Sequence, residues 1–501
     1  MKSNKLQLLV LILVFVTACG GGGGSSPTPT PAPAQPTLPG LVSIAITPAN
    51  PALVPGGSQQ FVATGTLADN TKQDVTNSVI WSSSATAVAV VRSGGLTSPA
   101  GADPSTNTTT IAATLGDISA ATNLTVTGGA TVDNVMPISV NGALCAPDSS
   151  YPNKPCVRVT VCAPGTANCQ TIDDILLDTG SFGLRIFKDA LPTLTLPQVT
   201  VASGPLAECI QFGDGSSLWG PVQTASVILG NEPAVQVPIQ VIDATFGFSD
   251  PALLPLNFGC FNAHGNPASA RYTGILGVGV LTHDCGVTCE TNAEVGIYYS
   301  CNGTTCNGTT VPQASQVLNP ATALPRDNNG VIVQLPAVPP GGTTSITGNL
   351  IFGIGTQPNN TPSQVTAYGT DVNARFNTLF NGRNYSGFID SGSNGLFFNP
   401  PAASAHLFPN CEGTTWFCPA ATASFSAINT GVAPLSTRGS VSFQIGNFFS
   451  LNSSGNNVFT EVGGTFRGGF DWGLPFFFGR YVFVGFEGTV SSLGTGPYWA
   501  Y

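Results

Sequence analysis

Residues 175–186 read ILLDTGSFGLRI and residues 387–398 read GFIDSGSNGLFF. In each, an apolar run drives a carboxylate into a tight turn and then returns to apolar residues. One Asp-Thr-Gly is weak evidence, because Asp, Thr and Gly are ordinary turn formers and an Asx-turn would suffice. Two copies sharing apolar–Asp–Thr/Ser–Gly–Ser–X–Gly–Leu, with Asp390 lying 212 residues after Asp178, indicate an internal duplication. The chain is then constrained to build two units that each present one acid.

Pairing such acids has a chemical purpose. Two carboxylates face to face cannot both ionise cheaply, so one keeps its proton well above the usual range. The ionised member can take a proton from water while the protonated member hydrogen-bonds a carbonyl. Such a dyad titrates as a pair, and activity is expected to be strongest in acid. Gly180 and Gly392 let the loops turn tightly against the carboxylates. The Thr179 and Ser391 hydroxyls can cross-link the loops, and Ser181 and Ser393 can hydrogen-bond the acids.

At 501 residues, with 60 Gly and 40 Pro and only 8% charged residues, the chain suits many short strands joined by turns. A net charge of −10 with 15 Lys+Arg excludes a nucleic-acid partner, which needs clustered basic side chains. No G-x-S-x-G elbow, HExxH, P-loop or complete dinucleotide-binding fingerprint occurs, and His264, His283 and His406 fall in unrelated loops. We expect no cofactor and no metal.

Residues 1–18 place Lys2 and Lys5 ahead of an apolar run too short for a bilayer span, as in a signal peptide. The tetrad Val16-Thr17-Ala18-Cys19 resembles a bacterial lipobox, which implies a lipidated, palmitate-bearing Cys19 as the mature N-terminus. Residues 19–40 continue as a glycine run and a Pro-rich stalk, a tether with no chemistry of its own. Gly20 after the cysteine favours the outer membrane over the inner, so a lipid-anchored envelope protein is expected. No later segment is apolar enough for a transmembrane helix.

The other twelve cysteines lie between Cys145 and Cys418. An even number in an exported chain reads as disulfides. Spacing suggests Cys162–Cys169, Cys411–Cys418, Cys145–Cys156 and Cys209–Cys260. The quartet Cys285, Cys289, Cys301 and Cys306 allows three pairings, with a zinc site near His283 as the alternative.

Residues 41–128 contain no cysteine and read as short alternating strands, a β-sandwich. Pro48, the Gly56-Gly57 turn, Asp74-Val75-Thr76 and Trp81 before a serine run resemble the bacterial Ig-like group 2 domain. In that family such modules serve as spacers or adhesive units, and Trp81 reads as the core anchor. Residues 129–501 continue as strands with glycine punctuation, with short helices expected near Lys188–Leu191 and Asp371–Phe380.

This larger unit resembles the pepsin-like aspartic peptidases. The match rests on the two acid motifs and three further stretches. QFGDGSSLWGPV resembles the flap hairpin (Gln211, Phe212, Gly213, Asp214, Gly215, Ser216). Ile275-Leu276-Gly277 resembles the element threading beneath the first acid loop, and Phe478-Gly479 its counterpart in the second half. The resemblance implies a mainly β, bilobal fold with a central cleft, an N-lobe of about 129–345 and a C-lobe of about 346–501. It implies catalytic Asp178 and Asp390, peptide or protein substrate in the interlobe cleft beneath the flap, and a monomer. Two positions depart from the family pattern: Phe212 stands where its flap carries tyrosine, and Arg185 where its first motif is followed by tryptophan. These are the two partners of one hydrogen-bonded contact. The second functional reading is a surface lipoprotein that kept the cleft as a binding site without turnover.

Overall fold

The structure is a computed structural model that describes residues 38–501 apart from 54–57, 87, 93, 100–106, 127–133, 149 and 248–259. The expected signal peptide, Cys19, most of the stalk, the Gly56-Gly57 turn and the 128/129 boundary lie outside the described residues.

The N-terminal module is all strand. Leu41–Thr47 pairs antiparallel with Val62–Leu67, and Asn107–Leu115 with Ile118–Val126. Alternation sends Phe61, Ala63, Ile111, Ala113, Leu124 and Val126 inward to one core. Trp81 packs against that core and its indole N–H donates to the Thr76 carbonyl at 2.9 Å, the anchoring role expected of it.

In the larger unit, six strands close on themselves. They are β1 (Pro155–Cys162), β2 (Cys169–Asp178), β3 (Phe182–Phe187), β4 (Ser217–Leu229), β5 (Val235–Ile242) and β6 (Gly274–Val278). Pairing runs β1–β2–β6–β3–β5–β4 and back to β1, so the sheet is a barrel. The end of β2, Ile175–Asp178, runs between β1 and parallel β6 and is buried on both faces. That is why its sequence stops alternating and becomes continuously apolar.

A second sheet has seven strands: β7 (Phe376–Phe380), β8 (Arg383–Ile389), β9 (Leu396–Phe398), β10 (Ala423–Thr430), β11 (Arg438–Ile445), β12 (Gly463–Gly464) and β13 (Phe470–Trp472). Their order is β11–β10–β7–β8–β13–β9–β12. Its core is aromatic: Phe380 and Phe398 meet edge to face at 5.4 Å, and Phe398 stacks on Phe470 at 4.7 Å.

Between them, Val135–Val140, Ile346–Phe352, Gly330–Gln334 and Tyr481–Gly485 pair side by side, joining early and late chain segments. The 345/346 position therefore falls beside the first residue of a central strand. Buried Asn153 ties early and late segments further: its amide donates to the Asn394 and Phe459 carbonyls at 2.9 Å, and its Oδ1 accepts from Phe459 N at 2.7 Å.

Helix is scarce. Lys188–Ala190 forms a single 3-10 turn, close to expectation. The helix expected over Asp371–Phe380 is instead a turn leading into strand β7. Asp371 Oδ1 accepts from the Asn373 and Arg375 amides at 2.9 Å, and this local turn chemistry overrides the apolar spacing that follows it.

Six disulfides form: Cys145–Cys156, Cys162–Cys169, Cys209–Cys260, Cys285–Cys289, Cys301–Cys306 and Cys411–Cys418. The open quartet thus pairs between near neighbours, and no zinc site is built from it. A cluster with metal-ligand spacing, Cys145, Cys156 and Asp174, has both thiols in a disulfide and is unsuited to an ion. Among the described residues no helix is long and apolar enough to cross a membrane.

Candidate active site

The two acid loops are built alike. β2 delivers Asp178 beside β6, which runs parallel to it, with Asp178 opposite Gly277. β8 delivers Asp390 beside parallel β13, with Ile389 opposite Trp472 and Asp390 N donating to the Trp472 carbonyl at 3.1 Å. The counterpart of Ile275-Leu276-Gly277 is therefore Asp471-Trp472-Gly473, which corrects the expectation of Phe478-Gly479. Those two residues sit against Leu335 at the central sheet, away from the second loop.

Four hydrogen bonds cross between the loops. Thr179 N donates to Ser391 Oγ at 3.1 Å, and Ser391 N donates to Thr179 Oγ1 at 2.9 Å. The hydroxyls continue outward: Thr179 Oγ1 donates to the Ile389 carbonyl at 3.1 Å, and Ser391 Oγ to the Leu177 carbonyl at 2.7 Å. Thr179 and Ser391 are fully enclosed, so these bonds have no competition from water. The cross-linking expected of these hydroxyls is what the geometry contains.

Reciprocal bonding brings the acids together. The Asp178 and Asp390 carboxyls lie close enough for one to act on the other's proton. Gly180 N and Ser181 Oγ donate to Asp178 at 2.7 and 2.5 Å. Gly392 N and Ser393 Oγ donate to Asp390 at 2.7 and 2.9 Å. A methyl group at Gly180 would fall 2.5 Å from Asp390 Cγ, and one at Gly392 would fall 2.9 Å from Asp178 Cγ. Only glycine lets the carboxyls approach. Burial, the Asp178 charge and then the Asp471 charge push the Asp390 carboxyl well above the ordinary range.

The hairpin from Gly204–Gln211 into β4 turns through Phe212–Ser216. Asp214 organises the tip, its Oδ1 accepting from Ser216 N at 2.8 Å and Ser216 Oγ at 2.7 Å. This matches a turn-forming role for Asp214. Phe212, Tyr151 and Ile210 pack against an apolar cluster that includes Leu176 and Ile275. Gly213 faces Phe466 of the other half, 3.7 Å from where its side chain would begin.

Arg185 pairs with acids other than Asp178 and Asp390. It lies wholly buried in the first barrel, with Nη1 donating to the Phe182 carbonyl at 2.7 Å. Its Nη2 meets Glu208 Oε1 at 2.6 Å and Asp284 Oδ2 at 2.9 Å, while Tyr298 OH donates to Asp284 Oδ1 at 2.6 Å. Burial, and next the Glu208 charge, push Asp284 well above the ordinary carboxylate range. One buried cation thus meets two buried acids. His283 sits in a backbone bridge with Leu318, and His264 N donates to the Ser217 carbonyl at 3.0 Å.

Sequence reasoning missed Asp471, Asn153, Phe466 and the partners of Arg185. Asp471 carried the same signal as Asp178, an acid inside an apolar strand (Phe470-Asp471-Trp472-Gly473). The surrounding aromatics made it read as core.

Two outcomes test this geometry. Arg185→Leu strands the buried Glu208 carboxylate and is expected to cost about 3–5 kcal/mol in urea unfolding; a loss below about 1 kcal/mol would contradict the buried ion-pair assignment. Burial pushes Asp471 from 3.8 up to about 8, against the pull of Ser393 and Arg375. The folded state therefore binds a proton that the unfolded chain releases, so stability is highest in acid and declines as pH rises from about 4 to 8. Asp471→Asn should flatten that decline in thermal unfolding measured across the same pH window.

Comparison with known proteins places both parts of the chain. Residues 42–126 match the bacterial Ig-like domain (group 2). The chain is 44% identical over 90 residues to "Ice-binding protein 1" of Shewanella frigidimarina (strain NCIMB 400), a match covering 18% of this chain and 10% of that protein. So short a share carries nothing about what the whole relative binds. Residues 130–501, the greater part of the chain, match the family described as "Protein of unknown function (DUF3443)", and the protein belongs to that family.

Proposed function

We propose that this protein is an envelope-anchored aspartic-type endopeptidase of pepsin-like, bilobal architecture, in which Asp178 and Asp390 cleave extended peptide. The observation that carries this reading is the reciprocal bonding of Thr179 and Ser391, which holds buried Asp178 and half-buried Asp390 side by side. Juxtaposed acids cost stability unless a proton is shared, so the arrangement has a chemical rationale and little structural one.

Asp178 is the ionised partner and Asp390 the protonated one. Asp178 accepts a proton from a water held between them as that water attacks the scissile carbonyl. Asp390 donates its hydrogen bond to the carbonyl oxygen, where negative charge develops. Collapse of the tetrahedral carbon breaks the C–N bond, and the proton taken by Asp178 passes to the leaving amine. The Gln211–Ser216 turn covers the substrate from one side and Phe466 bounds it on the other. Cys19 tethers the enzyme by lipid to the outer membrane, and the Pro-rich stalk and Ig-like module act as spacers.

A non-catalytic peptide binder is the second reading. Phe212 favours it, because the ring offers no hydroxyl to the attacking water. Incubating the purified full chain with a peptide library from pH 3 to 7 separates the two. Cleavage strongest in acid, and reduced at least about a thousandfold by Asp178→Asn or Asp390→Asn, is expected. No cleavage at any pH, or cleavage indifferent to both substitutions, rejects the peptidase.

A further inference from the structure

The second acid loop contains a contact that the first lacks. Ser393 Oγ lies 2.9 Å from Asp390 Oδ2 and 2.6 Å from Asp471 Oδ2. A hydroxyl carries one hydrogen and can donate to only one of them. If both carboxyls were ionised, one short contact would set lone pairs against lone pairs. One of the two acids must hold a proton directed at Ser393.

Symmetry between the halves shows that the third acid is an addition. Leu176 precedes Asp178 by two residues and pairs with Ile275 of β6. Phe388 precedes Asp390 by two residues and pairs with Asp471 of β13. The same register position thus holds an isoleucine in one half and an aspartate in the other. Ser181 correspondingly reaches Asp178 alone.

We propose that Asp471 is a positioning residue that holds a reserve proton for Asp390 and delivers it through Ser393. This rests on the dyad reading above. When Asp390 loses its proton to solvent between turnovers, the Ser393 hydroxyl hydrogen moves to Asp390 while the Asp471 carboxyl proton moves to Ser393 Oγ. One O–H bond forms and one breaks at the serine, and the net transfer is one proton from Asp471 to Asp390. Asp471 is left as a carboxylate and regains its proton from solvent.

The ionisable groups around Asp471 are Asp390 and Asp178 on the two loops, and Arg375 in the turn ahead of β7. Asp471 is 5% exposed, and among the described residues its Oδ1 has no hydrogen-bond partner, as suits a neutral carboxyl better than an anion. As pH rises and Asp471 ionises, its charge holds the proton on Asp390 more tightly, because a nearby anion disfavours a second one. The arrangement extends the working range of the dyad toward neutral pH.

Asp471→Asn and Ser393→Ala in the full chain test this with two readouts. In infrared spectra of protein labelled with 13C-aspartate, the wild type is expected to keep a buried protonated-carboxyl band at pH 7 that Asp471→Asn loses. The midpoint for Asp390 should fall by about one pH unit in Asp471→Asn, the effect of one nearby charge, whereas Ser393→Ala, which removes a hydrogen bond that favours the ionised form, should not lower it. In peptide cleavage, the alkaline limb of kcat/KM should move down by the same amount in Asp471→Asn, while Arg383→Gln on the exposed side of β8 leaves it in place. An unmoved Asp390 midpoint in Asp471→Asn, a lowered one in Ser393→Ala, or Asp471 already ionised at pH 7, would overturn the proposal. If the midpoint moves but the wild type cleaves no peptide, the proton wiring stands and the peptidase reading falls.

Discussion

Everything at the centre of this protein depends on the reciprocal bond between Thr179 and Ser391. Each residue gives its backbone amide to the other's hydroxyl, and each hydroxyl reaches on to a carbonyl of the opposite strand. The four bonds span halves of the chain more than two hundred residues apart and lie out of reach of water. They fix the loops at a separation where only glycine fits at 180 and 392, and so force two acids against one another. Electrostatics resists that approach, and a shared proton relieves it.

The two halves meet this constraint with different chemistry. The strands leading to the first loop carry apolar Leu176 and Ile275, in a cluster against which Phe212 and Tyr151 pack. The second places Asp471 where the first has Ile275, and adds Arg375, whose guanidinium stacks over Phe388 at 3.9 Å. Two loops built alike are thereby electrostatically asymmetric, with the extra acid on the side of Asp390. In the proposed mechanism that is the side that must hold a proton.

Much of the site was legible because its signals are local. The acids, the hydroxyls and the glycines all lie within two short stretches whose repetition discloses the pairing. Close-spaced cysteines were readable for the same reason, since Cys162–Cys169 and Cys411–Cys418 each close a short loop. What escaped depends on distant register. Asp471 looks like core until β13 is seen beside β8, and Asn153 shows no role until Phe459 is brought against it. Arg185 reads only as a departure from the family's tryptophan, because Glu208 and Asp284, which pair with it, lie in other segments of the chain. Asp371–Phe380 failed for the opposite reason: a local Asx-type turn outweighed apolar spacing.

The account turns on one shared proton, and a neutron crystal structure of the deuterated protein near pH 5 would observe it directly. The prediction is a single deuteron bound to Asp390 and directed at Asp178, with both carboxyls in contact and Thr179 and Ser391 still cross-bonded. Two bare carboxylates turned away from each other, or a cation lying between them, would contradict it.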